Sequence, residues 1–355
     1  MTAYRYNRGM ISFKNHTAEQ LAEQLQHLGV EVRLARRLQS LVLRQGAEVP
    51  EQLPGVRRSL LSQIRAQTQI PRLKLLEKVV SPMDGFAKYL FTGEGPEPFE
   101  AVRIPLLHRP GDEKYIVCVS SQVGCAMGCV FCATGKMGFR RNLAAWEIVD
   151  QVLQVRDDSA YPVRGVVFMG QGEPFLNYER VIQAAQVLSD PSGPAINGRA
   201  ITISTVGIVP MIRRFTREGW PYRLIVSLTA AESDKRRTLL PVEGTHPLSE
   251  LLEAIREYQA ARGGRMTLAW TLLRGINTSE DDAKRLAELT RGLPILLDLI
   301  DVNDASGTFQ PPDQAEREAF REALSRQLAA PVVRRYSGGG DIHGACGMLA
   351  SRRIT

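Results

Sequence analysis

The stretch Cys125-Ala-Met-Gly-Cys129-Val-Phe-Cys132 places three thiols at spacings of four and three residues, in a loop that also contains Gly124 and Gly128. Such a loop can wrap a single metal centre from several sides. A structural zinc site takes four closed ligands, and this stretch supplies three. A [4Fe–4S] cluster held by three thiolates keeps one iron open for a small molecule, whereas ordinary electron carriers use four cysteines. The spacing therefore favours an open iron–sulfur cluster over three buried structural cysteines without a metal.

Composition bounds the class of protein and its partners. The chain has 355 residues, 44% hydrophobic and 23% charged, which is typical of a globular protein with an ample core. Lysine and arginine number 45 against 38 aspartate and glutamate, so the formal net charge is +7. A basic surface suits a nucleic-acid partner, although it is weak evidence alone. Arginine pairs such as Arg236-Arg237 are dispersed and are either solvated surface or phosphate contacts.

The sequence predicts no membrane segment. Its N-terminus lacks the apolar core and cleavage site of a signal peptide. No apolar run reaches the ~18 residues that a membrane helix needs. The five cysteines fit a reducing compartment, where thiolates stay available as ligands and nucleophiles. We therefore expect a cytoplasmic protein.

Periodicity divides the chain into three parts. Residues 17–69 show a 3.6-residue apolar period, so we expect a small helical accessory domain over 1–73. Residues 74–110 alternate like strands around a glycine-rich turn, which predicts a hairpin or linker. Over residues 111–355, six strands alternate with amphipathic helices, which predicts a parallel sheet in an α/β fold. The six strands are expected at Tyr115–Ser120, Gly165–Met169, Arg199–Ser204, Tyr222–Leu228, Met266–Leu272 and Ile295–Val302.

Chemically active residues follow the predicted strands. The cysteine loop follows the first strand, and Gly170-Gln-Gly-Glu-Pro174 follows the second. Ser204, Ser227 and Asn303 end the third, fourth and sixth. In parallel barrels, ligands gather at the carboxyl ends of the strands. The placement of the strands alone therefore predicts one site at that edge.

The motifs together resemble the RlmN/Cfr family of radical S-adenosylmethionine (SAM) RNA adenosine methyltransferases. CxxxCxxC alone identifies only the superfamily, and its combination with Cys118 and Cys346 is far more specific. The matching stretches are Cys118-Val-Ser-Ser-Gln-Val-Gly-Cys125, Gly138-Phe-Arg-Arg-Asn142, Met169-Gly-Gln-Gly-Glu-Pro174, Ser204-Thr-Val-Gly207 and Gly340-Asp-Ile-His-Gly-Ala-Cys346. The resemblance implies a partial (β/α)6 TIM-like barrel with a [4Fe–4S] cluster on Cys125, Cys129 and Cys132.

The resemblance also implies the cofactor contacts and the partners. SAM would bind the open iron, with Gly172 and Glu173 at its amino group. The other implied SAM contacts are Ser204, Ser227, Leu228, Thr229 and Asn303. The implied substrate is RNA, with rRNA favoured and tRNA second. An external electron donor such as flavodoxin or ferredoxin and a monomeric state complete the expectation.

For the chemistry, the resemblance implies Glu100, Cys118 and Cys346. One SAM would methylate Cys346, and a radical from a second SAM would take hydrogen from that methyl group. The carbon would add to C2 or C8 of adenine, with Glu100 as the base. Cys118 would then attack Cys346 and release the product, leaving a disulfide. Without the resemblance, the two cysteines are consistent with buried small hydrophobes, or with a structural disulfide, which would be unusual in the cytosol.

Four stretches depart from the family pattern. Thr229 stands where histidine is expected, and Gln171 interrupts Gly-Met-Gly-Glu-Pro. The loops at Asn303-Asp-Ala-Ser and Ser337-Gly-Gly-Gly-Asp also differ. The target adenosine and its ring carbon therefore stay open. Two other classes also stay open: a radical SAM enzyme of this architecture with a non-RNA substrate, and an RNA-binding protein with a structural cluster.

Overall fold

The computed structural model describes residues 7, 9–107, 109–304 and 306–350. In these residues the strands are β1 (Ile11–Ser12), β2 (Thr68–Gln69), β3 (Lys74–Val80), β4 (Ala87–Thr92), β5 (Phe99–Leu106), β6 (Lys114–Cys118), β7 (Gln122–Val123), β8 (Arg141–Asn142), β9 (Val163–Phe168), β10 (Ile201–Thr205), β11 (Arg223–Ser227), β12 (Met266–Leu272), β13 (Ile295–Asp301) and β14 (Val332–Arg335). The α-helices are α1 (Ala18–Gln24), α2 (Val32–Gln39), α3 (Arg58–Gln67), α4 (Ala133–Lys136), α5 (Ala145–Asp157), α6 (Tyr178–Ser189), α7 (Val209–Glu218), α8 (Ser233–Leu239), α9 (Leu248–Arg262), α10 (Glu280–Leu289) and α11 (Gln314–Gln327).

One ten-stranded sheet, in the order β14-β13-β12-β11-β10-β9-β6-β5-β4-β3, organises the fold. The neighbours from β14 to β6 are parallel. The six predicted strands are all present, and the predicted α/β fold with an incomplete barrel is confirmed. A seventh parallel strand, β14, was missed, because Val-Val-Arg-Arg is a short edge strand without an apolar run.

Residues 74–110 contribute three strands, where a hairpin was expected. β3, β4 and β5 form an antiparallel meander, and β5 pairs antiparallel with β6. The meander therefore extends the barrel sheet. Val102 lies opposite Cys118 in this pairing, so Glu100 reaches the carboxyl edge of β6. Strand pairing thus carries two predicted catalytic residues to the same edge.

The N-terminal helices pack against the barrel through a common core. One apolar cluster contains Leu21 and Leu38 together with Val149 and Leu188 of α5 and α6. The buried ammonium of Lys14 lies 2.5 Å from Asp150 Oδ1 on α5. Removing either partner would leave a buried charge uncompensated, which is strongly destabilising. The division of the chain at residue 73 stays a prediction.

The barrel sheet is open, and its two ends meet through loops. The turn between β3 and β4 contacts the segment after β14: Asp84 Oδ2 accepts from Gly339 N at 2.8 Å. The rings of Phe86 and Tyr336 lie edge to face, with centroids 6.1 Å apart. No helix in the described part of the chain is long and apolar enough to cross a membrane.

Candidate functional site

The cysteine loop begins after β6 and turns sharply at Gly124. The φ of Gly124 is +69°, and a Cβ there would lie 1.9 Å from the carbonyl oxygen of Gly138, so a side chain cannot fit. Cys125 N donates to that same carbonyl at 3.2 Å. The turn brings Cys125, Cys129 and Cys132 to the wall of one cavity of about 190 Å³, the strand-end cavity.

The three thiols suit a cluster better than a single ion. Burial raises the pKa of Cys125 to about 12. Burial also raises the pKa of Cys129, and the neighbouring thiols of Cys132 and Cys125 raise it further. Three thiolates here therefore need positive charge to compensate them, which bound iron supplies. In the described ranges, no three histidine, cysteine or acidic side chains come together closely enough to hold a single metal ion. The donor set fits a [4Fe–4S] cluster, in which each thiolate can bind a different iron.

Most predicted SAM contacts lie on the wall of the strand-end cavity. The lining includes Gly172, Glu173, Ser204, Ser227, Thr229 and Asn303. Leu228 does not line it: its side chain lies in the apolar core, and its backbone bonds to Ala269 and Arg236. Four strand ends thus contribute to one pocket, as their order in the sheet requires.

Glu173 is a fixed carboxylate in this wall. Its Oε1 accepts from Phe175 N at 3.0 Å, and its Oε2 accepts from Val206 N at 2.9 Å. Burial raises the pKa of Glu173 to about 7, although these backbone hydrogen bonds oppose the rise. The side chain therefore offers a rigid acceptor to a cationic group.

Thr229 carries an unsatisfied hydroxyl at the cavity. Its φ is +60°, a strained conformation for a β-branched residue. Its Oγ1 is buried and has no hydrogen-bond partner among the residues that the structure describes. Buried polar atoms are nearly always paired. A polar ligand in the strand-end cavity would satisfy this hydroxyl, which is a second sign that the pocket fits a cofactor such as SAM.

Cys118 and Cys346 line a second and larger cavity of about 1330 Å³, the barrel cavity. Both are free thiols. Burial raises the pKa of Cys118, and the nearby Cys346 raises it further. Cys346 also lines the strand-end cavity, so it lies where the two cavities meet.

Backbone and side-chain bonds hold Cys346 at that junction. Cys346 N donates to Ser337 Oγ at 3.1 Å. Asn303 Nδ2 donates to Ser337 Oγ at 3.1 Å and to the Cys346 carbonyl at 3.3 Å. Ala133, directly after the cysteine loop, donates its N–H to the Gly347 carbonyl at 2.7 Å. The cysteine loop and the C-terminal loop are thus joined around Cys346.

Glu100 lies close to this edge but lines neither cavity. Its side chain is buried, and the Lys88 Nζ lies 3.0 Å from its Oε1. Its backbone N donates to Gln171 Oε1 at 3.3 Å. Gln171, one of the departures from the family pattern, therefore fixes the strand that carries Glu100.

Sequence reasoning missed Lys88, Ser337 and this role of Gln171. Lys88 left no clear signal, because β4 is buried on both faces and shows no alternation of buried and exposed residues. The contacts of Ser337 and Gln171 join segments far apart in the chain and leave no local signal.

Comparison with known proteins places this geometry in a family. Residues 119–287 match the model of the radical SAM superfamily. A probable RNA methyltransferase from Anaeromyxobacter sp. is 51% identical over 326 residues, which cover 91% of this chain and 95% of the relative. The dual-specificity RNA methyltransferase RlmN of Syntrophobacter fumaroxidans is 40% identical over 96% of this chain and 98% of the relative.

A crystal structure of a radical SAM methyltransferase from Sphaerobacter thermophilus superposes with a TM-score of 0.87 at 34% identity, covering 96% of this chain and 100% of that one. Similarity therefore extends over nearly the whole chain, including the N-terminal helices. This chain belongs to the RlmN/Cfr family of radical SAM RNA methyltransferases.

Proposed function

We propose that this methyltransferase modifies an adenine ring carbon, C2 or C8, in RNA, with rRNA as the favoured substrate and tRNA as the second. The methyl carbon passes through Cys346, and a transient Cys118–Cys346 disulfide releases the product. The observation that carries the proposal is that Cys346 lines both cavities. One cavity has the three cluster thiols in its wall, and the other has Cys118.

The residues around the two cavities would have different roles. Cys125, Cys129 and Cys132 would hold the cluster, and the strand-end residues Gly172, Glu173, Ser204, Ser227, Thr229 and Asn303 would hold SAM. Leu228 would act through its backbone, by fixing Ser227 and Thr229. Bound there, the cluster and SAM would supply the methyl group and the hydrogen-abstracting radical.

The remaining residues act on the substrate. Cys346 carries the carbon to the base, because it alone of the candidate catalytic residues lies at the junction of the cavities. Glu100, with its charge balanced by Lys88, would accept the proton that leaves the ring, and the electron that leaves with this proton would return to the oxidised cluster. The Cys118 thiol loses its proton and its sulfur bonds to the Cys346 sulfur; the sulfur–carbon bond breaks, the released carbon takes up a proton to become the methyl group, and a disulfide remains.

The cellular setting is part of the same proposal. The five free cysteines support a reducing cytoplasm, where Cys118 and Cys346 can be reset as thiols after each turnover. An external donor such as flavodoxin or ferredoxin would reduce the cluster. We expect the enzyme to act as a monomer.

The deciding experiment is mass spectrometry of protein purified without oxygen, together with nucleoside analysis of rRNA and tRNA incubated with it. The expected results are one added methyl on the Cys346 peptide and a C2- or C8-methylated adenosine in the RNA. An unmodified Cys346 in protein with an intact cluster would contradict the proposal and favour a non-RNA substrate of the same architecture.

Two variants separate the cysteine roles. Cys346→Ser should abolish RNA methylation and retain iron. Cys118→Ala should leave RNA covalently attached through Cys346, detected as protein that carries RNA after denaturation. RNA-free Cys118→Ala protein with normal turnover would exclude the disulfide step.

A further inference from the structure

Tyr336 is an exposed aromatic residue in the wall of the barrel cavity. It follows β14 directly and lines the barrel cavity together with Cys118 and Cys346. It is 72% exposed, and no other aromatic residue in the described part of the chain is as exposed. The other aromatic residues of that wall, Phe86, Tyr222 and Tyr258, are buried. Tyr336 therefore stands at the mouth of the cavity.

The ring is held in place although it is exposed. Its hydroxyl donates to Asp84 Oδ2 at 2.9 Å. Phe86 meets it edge to face, with an interplanar angle of 71°. An exposed ring buries little apolar surface, so these contacts stabilise the fold weakly. Their consequence is to fix the orientation of the ring before any ligand arrives.

The backbone beneath the ring leaves room for this arrangement. A Cβ at Gly338 would lie 2.4 Å from Asp84 Oδ2, 2.5 Å from Phe86 Cε2 and 2.6 Å from Tyr336 Cε1. Asp84 and Phe86 of the β3–β4 turn contact Tyr336 and Gly339 after β14, and we call this set of contacts the clasp. The clasp therefore requires a glycine at position 338. Gly338 of the unusual Ser337-Gly-Gly-Gly stretch thus has a structural reason, because it makes space for the ring and its two supports.

RNA provides a chemical partner for such a ring. An adenine whose ring carbon must reach Cys346 has to leave the stack of its neighbours, and this costs free energy. Proteins that read unstacked RNA bases replace the lost stacking with aromatic side chains. Ile104, Pro105 and Leu106 line the same cavity, so part of its wall offers apolar surface to a base.

We propose that Tyr336 is a stacking platform for a nucleobase of the RNA substrate, and that Asp84 and Phe86 are positioning residues for its ring. The proposal rests on the proposed function for its substrate, an unstacked adenosine or its immediate neighbour. It assigns the mouth of the barrel cavity to base recognition and leaves the chemistry to Cys118 and Cys346.

The test uses the anaerobically reconstituted full chain and a single-stranded oligoadenylate RNA that contains one 2-aminopurine, whose fluorescence falls when it stacks. Titration into the wild type should give saturable quenching. Base–aromatic stacking is worth enough that Tyr336→Ala should weaken binding of the probe by roughly 5- to 150-fold. Tyr336→Phe keeps the ring and should recover most of that loss. Equal affinity of wild type and Tyr336→Ala would overturn the proposal.

Two further readouts separate stacking from damage to the fold. Tyr161→Ala is the matched control, because Tyr161 is an exposed tyrosine just before β9, at the opposite end of the strands. It should bind the probe as the wild type does. Tyr336→Ala should still acquire the methyl group on Cys346, since that step needs no RNA. If it loses that methylation together with probe binding, the ring is structural and the proposal is wrong.

The proposed function and the stacking platform can fail separately. A wild type that forms no methylated adenosine would overturn the proposed function. The 2-aminopurine titration would still decide whether Tyr336 stacks on a base.

Discussion

The two halves of the proposed site are built in different ways. The cysteine loop, which we propose holds the cluster, is local: its three thiols lie within eight residues, and its turn depends on a nearby glycine. The reactive-cysteine site joins distant segments, because Cys118 ends β6 and Cys346 lies in a loop held by Asn303, Ser337 and Ala133. The local half can be recognised in a sequence by spacing alone. The distant half depends on the pairing of the sheet and on a few hydrogen bonds between loops.

The largest expected effect concerns the local half. Cys129→Ser removes one of three thiolates and should abolish both the bound iron and RNA methylation. Anaerobic iron and sulfide analysis beside nucleoside analysis measures both. Cys346→Ser is the matched control from the other half, since it should lose methylation and keep the iron. Full iron content in Cys129→Ser would break the distinction between the halves.

A buried ion pair packs against the wall of the strand-end cavity, because Arg236 bonds to Val206 in that wall. Arg236 Nη1 lies 2.6 Å from Glu243 Oε2, and Arg236 Nη2 donates to the Val206 carbonyl at 2.7 Å, with both side chains wholly buried. Arg236→Met leaves the Glu243 carboxylate buried without its partner. The free energy of unfolding should therefore fall by about 3–5 kcal/mol, measured by denaturant titration.

Its neighbour provides the control. Arg237 is exposed and contacts Asp234 one turn away at 3.5 Å. Arg237→Met should change the free energy of unfolding by no more than about 0.5 kcal/mol. Equal losses of unfolding free energy in the two variants would show that the buried pair stabilises this half of the site no more than the exposed pair does.

A smaller effect is expected in the reactive-cysteine half. Ser337→Ala removes the acceptor shared by Cys346 N and Asn303 Nδ2. The loss of such hydrogen bonds should cost about 0.5–1.5 kcal/mol and loosen the loop. Cys346 should then be alkylated faster, as followed by mass spectrometry, while buried Cys118 keeps its rate. Ser306→Ala, in an exposed loop, should leave both rates unchanged, and an unaltered Cys346 rate in Ser337→Ala would contradict this role.

The smallest effect is a pH dependence of the clasp at Asp84. Partial burial raises the pKa of Asp84, but hydrogen bonds from Gly339, Phe86, Ser81 and Tyr336 lower it, and the net pKa lies below the ordinary value. The clasp is therefore most stabilising above the unfolded carboxyl pKa of about 3.9, and this contribution is lost as the pH falls through the folded pKa.

Amide exchange at Gly339 measures the clasp. Protection should be constant near neutral pH and should decline in acid in the wild type. Asp84→Asn should show weaker protection and little dependence on pH. Identical profiles in the two proteins would remove Asp84 from the clasp.

Particular residues show where sequence reasoning succeeded and where it could not. Alternating apolar and amphipathic segments predicted six parallel strands, because a buried parallel strand needs a continuous apolar run. That same rule missed β14, whose Val-Val-Arg-Arg run is half polar. Arg236 was indistinguishable from Arg237 in the sequence, yet one is buried in an ion pair and the other is exposed. Burial depends on which loops pack above a residue, and no local pattern encodes it.

The sequence by itself determined the chemistry that this chain can hold: three thiols at cluster spacing, two further cysteines, and polar residues where strands end. These features are local, because spacing and strand period act over a few residues. Only the tertiary structure decided that Cys346 lies between two cavities, that Lys88 faces Glu100, and that Asp84 and Phe86 orient Tyr336. These contacts join segments up to 252 residues apart. They form only when the sheet pairs and its open ends are brought together by loop packing, so they follow from the whole fold and from no single stretch.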